Sequence, residues 1–291
     1  SSTVGGMCET DELYNDANLK TKASPFIESY SGGSHVLKLA EKYHIKGFTN
    51  TINTACSSSA NAIMMGTKMI KAGIIDRAIV GGADTLAKFT VNGFNALQIL
   101  SDKACKPFDE NRNGLTLGEA GAFLVLEKEE DCKNKKKYAE IAGYGNTNDA
   151  FHASSLSEDA KGIVLSIQTA LDTADISTVD YVNTHGTATG NNDQTELVGL
   201  DKIFGEIPPY NSTKSYTGHT LAAAGALEAI FSILSINNSE LYPSLNVDTP
   251  ISPFNKMPIQ TFKKGVEINN VLSNSFGFAG NCTSLILKKC I

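Results

Sequence analysis

Short apolar runs bounded by glycines alternate along the chain with segments of helical periodicity, and this alternation sharply limits the folds open to it. Strands are predicted at the apolar runs 78–84, 121–127, 138–145, 179–185, 268–274 and 283–288. Helices are predicted where apolar residues recur at helical spacing, at 57–72, 158–174, 193–204 and 221–236. Strands that alternate with helices predict an α/β fold with mostly buried sheets.

The composition is typical of a soluble globular protein. The 291 residues are 41% hydrophobic with a formal net charge of −6, and no apolar run approaches the roughly 20 residues that a membrane span requires. An acidic surface argues against duplex DNA, whose phosphates need a basic face. The start, Ser1 to Glu9, carries no secretory signal pattern, and the six cysteines form no CxxC pair and no metal-spaced cluster. These features predict a cytoplasmic protein with reduced thiols, no membrane and no nucleic acid.

A lysine-rich run, Lys133 to Lys137, lies between two predicted strands and is expected to be a solvated linker. It divides the chain into residues 1–132 and 133–291. The segments 118–128 and 277–289 resemble each other, since each has a glycine turn followed by a hydrophobic strand that ends in lysine. This weak repeat is what a fold duplicated in two halves would produce.

Cys56 is predicted to lie where the β-leaning run 47–52 turns sharply into a helix. Free backbone N–H groups and the positive end of the helix dipole would then point toward its sulfur, favouring the thiolate and offering donors to an oxyanion. Ala55 and the serines that follow Cys56 would let a substrate approach closely. A buried structural cysteine beside a serine-rich helix cap fits this segment equally well.

His185 and His219 occur in loops rich in glycine and threonine at the ends of predicted elements. His185 follows a predicted strand, and His219, five residues after Lys214, precedes an alanine-rich helix. Active-site residues often occupy such loops, and neutral imidazoles can donate hydrogen bonds to an enolate or move protons. An isolated histidine is more often structural than catalytic, so these loops alone leave both roles open.

Together the segments resemble the elongating β-ketoacyl-acyl carrier protein synthases of the thiolase superfamily. The resemblance is carried by TACSSSANA (54–62), THGTATGNND (184–193), KSYTGHTLAAAGALE (214–228) and NSFGFAGN (274–281). Weaker similarity, including IVGGAD (79–84) and KPFDENRNGLTLGEAGAFLVLE (106–127), extends over nearly the whole chain. The implied fold is an α/β thiolase-like one, with duplicated α/β/α/β/α layers and mixed five-stranded sheets.

The resemblance also implies a set of site residues. Cys56 would be the nucleophile, His185 and His219 its partners, and Lys214 the family's lysine beside the histidines. The oxyanion hole would consist of the backbone N–H groups of Cys56 and Phe278. The remaining matched positions divide into acidic residues with orienting roles and residues that contact substrate: Asp193, Glu196 and Glu228 in the first group, and Thr187, Thr189, Phe94 and Phe276 in the second.

The implied activity is decarboxylative condensation of an acyl-Cys intermediate with a malonyl thioester, in fatty acid or polyketide-type biosynthesis. It needs no metal or organic cofactor, because both substrates are carried on the phosphopantetheine arm of acyl carrier protein. The resemblance further implies a dimer formed through the strand at 47–52, either with a second copy or with a homologous subunit.

The chain departs from the family pattern at two places. The usual GFGGTN run is GFAGNC here, so that Ala279 replaces a glycine and Cys282 stands where asparagine is usual. The chain opens at SSTVGGM, which normally follows a strand-helix-strand segment. The N-terminal strands are therefore expected to be absent, and a fragment is the expected explanation. An inactive fragment is accordingly one alternative to an active synthase.

Three other interpretations fit parts of the sequence. A non-catalytic partner subunit, similar to the chain-length factors, would typically lack the cysteine that is present at 56. A thiolase would need a second reactive cysteine, for which Cys282 is near the right place, but paired histidines suit decarboxylation better. An initiating synthase would use histidine and asparagine, which the GHTLAAAG segment (218–225) argues against.

Overall fold

The computed structural model describes residues 1–8, 11 and 27–290 of the chain. The described helices are Ser34–Lys42 (α1), Ser58–Lys71 (α2), Lys88–Ala96 (α3), Lys161–Ala174 (α4), Gly190–Phe204 (α5), Lys214–Thr217 (α6) and Ala224–Asn238 (α7). The described strands are Arg77–Asp84 (β1), Ala120–Glu127 (β2), Glu140–Asn148 (β3), Tyr181–Asn183 (β4), Tyr210–Asn211 (β5), Glu240–Leu241 (β6), Lys263–Lys264 (β7), Asn270–Gly277 (β8) and Asn281–Lys288 (β9).

The larger sheet has five strands in the order β3-β9-β8-β4-β5. It is mixed, because β9 pairs antiparallel with both β3 and β8, whereas β4 pairs parallel with both β8 and β5. In the inner strand β9, positions 282–287 are all buried, as expected for a strand covered on both faces. The predicted mixed five-stranded sheet is therefore confirmed.

The elements stack in layers around two apolar clusters. One cluster lies between the five-stranded sheet and helices α4 and α5, with Ile163, Ile167 and Leu197 at its centre. The other lies between that sheet and a second, antiparallel sheet of β1 and β2, and is filled by α2 and α7 through residues such as Ile63 and Ala229. The predicted α/β layering is thus present, with helices sandwiched between two sheets.

Helix α7 is apolar around most of its circumference because it lies between the two sheets. The stretch Leu221–Asn238 is apolar and long enough to cross a membrane by length and composition alone, but 61% of it is buried inside the protein. Burial of this kind is what a central core helix requires.

Three sequence predictions differ from the structure. The second sheet has two strands among the described residues, not five, and its outer face exposes Ile79, Phe123 and Val125. The predicted strand 179–185 shortens to β4 at 181–183. The run 47–52 forms no strand, because no backbone hydrogen bond joins it to another described segment and Gly47 to Asn50 are exposed. Strand geometry needs a paired neighbour.

The predicted linker is exposed from Lys133 to Lys136. The two segments of the weak repeat contain β2 and β9, and each of these is the second strand of an antiparallel pair. The division of the chain at 132/133 stays a prediction.

Candidate active site

Cys56 lies in a tight turn directly before α2. The turn is closed by the Asn53 side chain, which accepts a hydrogen bond from the Ala55 amide at 3.1 Å, and by Ser58 Oγ, which accepts one from the Thr54 amide at 2.9 Å. Ala55 adopts a left-handed conformation (φ 53°) that reverses the chain. The Cys56 amide therefore precedes the first helical turn, where N–H groups have no intrahelical acceptor.

The Cys56 side chain is only 5% exposed, and this burial governs its ionisation. Burial raises the pKa of the thiol to about 12, and the positive charge of Lys214 opposes this rise without cancelling it. This direction is opposite to the sequence-based expectation that the helix start favours the thiolate. The desolvation of a fully buried anion outweighs the dipole of one helix end.

His185 and His219 are both buried, and their rings lie 5.4 Å apart at 87° to one another. Nδ1 of His219 accepts the Leu221 amide at 3.2 Å. Nδ1 of His185 lies 3.3 Å from the ammonium of Lys214, which can only donate. In each neutral ring the proton is therefore on Nε2, so the pair presents two N–H donors.

The imidazoles are neutral near pH 7. Burial lowers the pKa of His185 well below its ordinary value, and the positive charge of Lys214 lowers it further. Burial and Lys214 lower the pKa of His219 in the same way. A neutral pair suits hydrogen-bond donation to an oxygen that gains negative charge.

Lys214 is held by three contacts. Its ammonium donates to the His185 carbonyl at 2.6 Å, lies near His185 Nδ1 and forms a buried ion pair with Glu228. Burial raises the pKa of Glu228, and the contact with Lys214 opposes that rise. The pair fixes the tautomer of His185 and joins α6 to α7.

Two further carboxylates hold the His185 loop. Glu196 accepts the amides of His185 and Gly186 at 2.9 and 3.0 Å, and burial raises its pKa to about 7. Asp193 accepts the amides of Phe108 and Ala188 at 2.8 and 3.1 Å. Both carboxylates contact backbone of the loop, which fits the orienting roles expected from the resemblance.

The end of β8 connects the histidines to the cysteine turn. The Phe276 ring lies 5.5 Å from the ring of His185. The next residue, Gly277, packs on the turn so closely that a Cβ there would lie 2.2 Å from the Thr54 carbonyl oxygen and 3.4 Å from the Cys56 nitrogen. Two consecutive residues thus contact one histidine and the nucleophile turn.

Phe278 follows at the start of a short 3-10 turn, and its ring stacks on Phe94 at 5.6 Å. Ala279 within that turn has φ 62°, a left-handed conformation that costs a non-glycine residue about 1–2 kcal/mol. The restriction predicted for this substitution is therefore present. Cys282 is fully buried in β9, and burial raises the pKa of its thiol, which is the opposite of what a second reactive cysteine requires.

The hydroxyls of Thr187 and Thr189 lie 2.9 Å apart in the loop after His185. Arg112 holds this loop, donating to the carbonyls of Thr189 and Gly190 at 3.1 and 2.8 Å. Sequence reasoning assigned Arg112 no role. A signal was available, because it is one of only two arginines in the chain and lies within the matched 106–127 segment.

Comparison with known proteins agrees with this geometry. The family "Beta-ketoacyl synthase, N-terminal domain" matches residues 2–132, and "Beta-ketoacyl synthase, C-terminal domain" matches residues 138–248. The 3-oxoacyl-[acyl-carrier-protein] synthase 2 of Rhizobium meliloti is 37% identical over 85% of this chain and 62% of its own length. The enzyme of the same name from Staphylococcus aureus is 36% identical over 99% of this chain and 73% of its own length.

Solved structures give the same result. The ishigamide ketosynthase/chain length factor matches with a TM-score of 0.93 at 29% identity, over 100% of this chain and 74% of that one. A ketosynthase in complex with its chain length factor from Xenorhabdus doucetiae matches with a TM-score of 0.89 at 37% identity, over 99% of this chain and 73% of that one. The chain spans 62% of the length of the Rhizobium relative and 66% of that of a mitochondrial relative from Arabidopsis thaliana. With this layered thiolase-like fold, the chain belongs to the β-ketoacyl synthase family.

Proposed function

We propose that this chain carries the active site of a 3-oxoacyl-[acyl-carrier-protein] synthase that performs decarboxylative condensation in fatty acid or polyketide-type biosynthesis. The observation that carries the proposal is the pair of buried, neutral imidazoles with both Nε2–H groups available, joined through β8 to a buried cysteine at a helix start. A pair of neutral N–H donors that can converge on one oxygen is suited to stabilising an enolate.

In the first half-reaction, Cys56 takes the acyl group from a carrier-protein thioester. The sulfur attacks the carbonyl carbon, and the amides of Cys56 and Phe278 stabilise the oxyanion of the tetrahedral intermediate. The C–S bond to the phosphopantetheine then breaks. Because the resting residue is a thiol, its proton must leave during attack and reach the departing thiolate, so the transfer is proton-neutral overall.

In the second half-reaction, the thioester oxygen of a malonyl unit accepts hydrogen bonds from His185 and His219. The bond between the carboxylate and the methylene carbon breaks, carbon dioxide leaves, and the electron pair forms an enolate held by both imidazoles. The enolate carbon attacks acyl-Cys56, releasing the β-ketoacyl product and a Cys56 thiolate that takes up a proton. Lys214 positions His185 throughout, because it contacts both Nδ1 and the carbonyl of that residue.

The remaining residues would shape the substrate path. Thr187 and Thr189 present hydroxyls suited to the amide groups of a phosphopantetheine arm, and the stacked Phe94 and Phe278 rings would border the acyl chain. Phe276 would pack against the malonyl unit beside His185.

Two partners are proposed. The first is acyl carrier protein, which a matched polyketide ketosynthase binds in its solved structure. The second is a homologous chain, either a second copy or a chain-length-factor subunit of the kind found in two matched structures. Apart from the Thr51 amide, which donates to the Asn50 side chain at 2.8 Å, the backbone of residues 47–52 makes no hydrogen bond to another described segment and would pair with a partner strand. We propose that the reaction occurs in the cytoplasm.

The test uses the intact chain and acyl carrier protein thioesters, followed by mass spectrometry. Wild type should gain the mass of one acyl group, Cys56→Ala should gain none, and Cys132→Ala, which changes a half-buried thiol in the described part of the chain, should behave like wild type. Survival of the adduct in Cys56→Ala would refute the assignment of the nucleophile. Cys56→Gln should still release carbon dioxide from a malonyl thioester, since both histidines remain. The absence of that release would refute the role of the histidines.

A non-catalytic chain-length-factor-like role is the second candidate, because matched structures contain such subunits. It predicts neither adduct nor decarboxylation from this chain alone, together with stable binding to an active synthase. Both candidates require pairing with a homologous chain. A strictly monomeric protein in light-scattering measurements would contradict that pairing with a second copy.

A further inference from the structure

The turn formed by Phe278 to Gly280 is attached to the nucleophile turn at both of its ends. At one end Gly277 packs directly on the Thr54 carbonyl oxygen. At the other end the Asn281 side chain reaches the first turn of α2. The Phe278 amide lies between these two attachments, so its distance from the Cys56 amide depends on both.

The attachment at Asn281 consists of hydrogen bonds to a single oxygen. Oδ1 accepts from Ser57 Oγ at 2.7 Å, from Asn61 Nδ2 at 2.9 Å and from Asn146 Nδ2 at 2.9 Å. Thr283 Oγ1 also lies within reach, at 3.2 Å. One atom therefore links the residue next to Cys56 and the helix behind it to strands β3 and β9.

Each donor around this oxygen also contacts a neighbouring group, and the single hydroxyl hydrogen of Ser57 is shared with the Thr54 carbonyl oxygen at 2.8 Å. Asn61 uses its second N–H on Thr54 Oγ1 at 2.8 Å, so its amide bridges the nucleophile turn and Asn281. Asn146 uses its other N–H on Thr283 Oγ1 at 2.8 Å. Asn281 acts in this network as an acceptor, and an aspartate of the same shape would keep every one of these bonds, whereas alanine would remove them all.

We propose that Asn281 is a positioning residue that sets the separation of the two oxyanion-hole amides, those of Cys56 and Phe278. The inference rests on the proposed function. Acyl transfer to Cys56 depends on the hole, whereas decarboxylation depends on imidazoles held by Lys214 and Glu196, neither of which contacts Asn281.

The experiment compares two half-reactions in matched variants. Asn281→Ala should slow acylation of Cys56 by about tenfold or more. Deleting a hydrogen-bond donor of an oxyanion hole lowers the rate by about 10²–10³-fold, and displacing such a donor should cost part of that factor. The KM for the acyl donor should change by less than threefold. Asn281→Asp, which retains the acceptor oxygens, should recover most of the rate. In a Cys56→Gln background, Asn281→Ala should leave malonyl decarboxylation within twofold.

A second variant controls for disturbance of the turn formed by Phe278 to Gly280. Asn148 donates to the Ala279 carbonyl at 3.1 Å in the same turn, and among the described residues its side chain makes no hydrogen bond to the cysteine turn or to α2. Asn148→Ala should slow acylation by less than threefold. Equal losses in Asn148→Ala and Asn281→Ala would overturn the proposal, as would a wild-type acylation rate in Asn281→Ala.

A parallel fall of acylation and decarboxylation in Asn281→Ala would show general damage and would also overturn the positioning role. Failure of the proposed function looks different, because wild type itself would then form no acyl adduct and the Cys56→Gln variant would release no carbon dioxide.

Discussion

The ionisation of Cys56 yields a quantitative prediction about its reactivity. Burial raises the pKa of the thiol from an ordinary 9.0 to about 12. At pH 7 about one thiol in 10⁵ would be ionised, against about one in 10² for the ordinary value, a thousandfold difference worth about 4 kcal/mol. The rate at which iodoacetamide alkylates Cys56 should therefore rise about tenfold for each pH unit between pH 7 and pH 10, with no plateau.

The assay is a timed alkylation quenched at intervals, with each cysteine followed separately by peptide mass spectrometry. Cys132 is half-buried in the described part of the chain and serves as an internal measure of reagent activity. Circular dichroism at each pH establishes that the protein stays folded. The Cys56 rate itself is plotted against pH, and alkylation of Cys132 shows only that the reagent is active in each sample.

A plateau in the Cys56 rate below pH 9 would refute this reasoning. It would mean that the helix start and the charge of Lys214 together outweigh the desolvation of the thiolate. The acylation mechanism would then start from a preformed thiolate and would need no coupled removal of the thiol proton.

Two further predictions concern contacts that hold the site. Lys214→Met leaves the Glu228 carboxylate buried and unpaired, so the free energy of unfolding in urea should fall by about 3–5 kcal/mol. The double variant Lys214→Met/Glu228→Leu should recover most of this loss, and an unchanged single variant would contradict the ion pair. Gly277→Ala places a Cβ 2.2 Å from the Thr54 carbonyl oxygen and should reduce acylation of Cys56 by more than tenfold. Gly93→Ala, where no atom lies within 4 Å of the added Cβ, is the matched control, and equal acylation in both variants would contradict the contact.

Much of the fold was predictable because the signals are local. Apolar spacing predicted a helix at 57–72 and the structure has one at Ser58–Lys71, while the run 283–288 lies within β9. Such spacing reports which side of an element faces the core, whatever the neighbouring element is. The run 47–52 was predicted to be a strand and is not one, because strand pairing depends on a partner that local sequence does not specify.

The sequence by itself determined the family, the positions of the longer core strands and helices, and the presence of one cysteine, two histidines and a lysine at element ends, but it did not predict α1, α3 or the short strands β5 to β7. Only the tertiary structure decided their chemical states. Contacts with Leu221 and Lys214 set the proton of each imidazole on Nε2. Asn281 joins the nucleophile turn across 224 positions of sequence, and burial by distant segments makes Cys56 a thiol. Desolvation and hydrogen bonding depend on which atoms surround a group in space, and residues far apart in the chain supply those atoms.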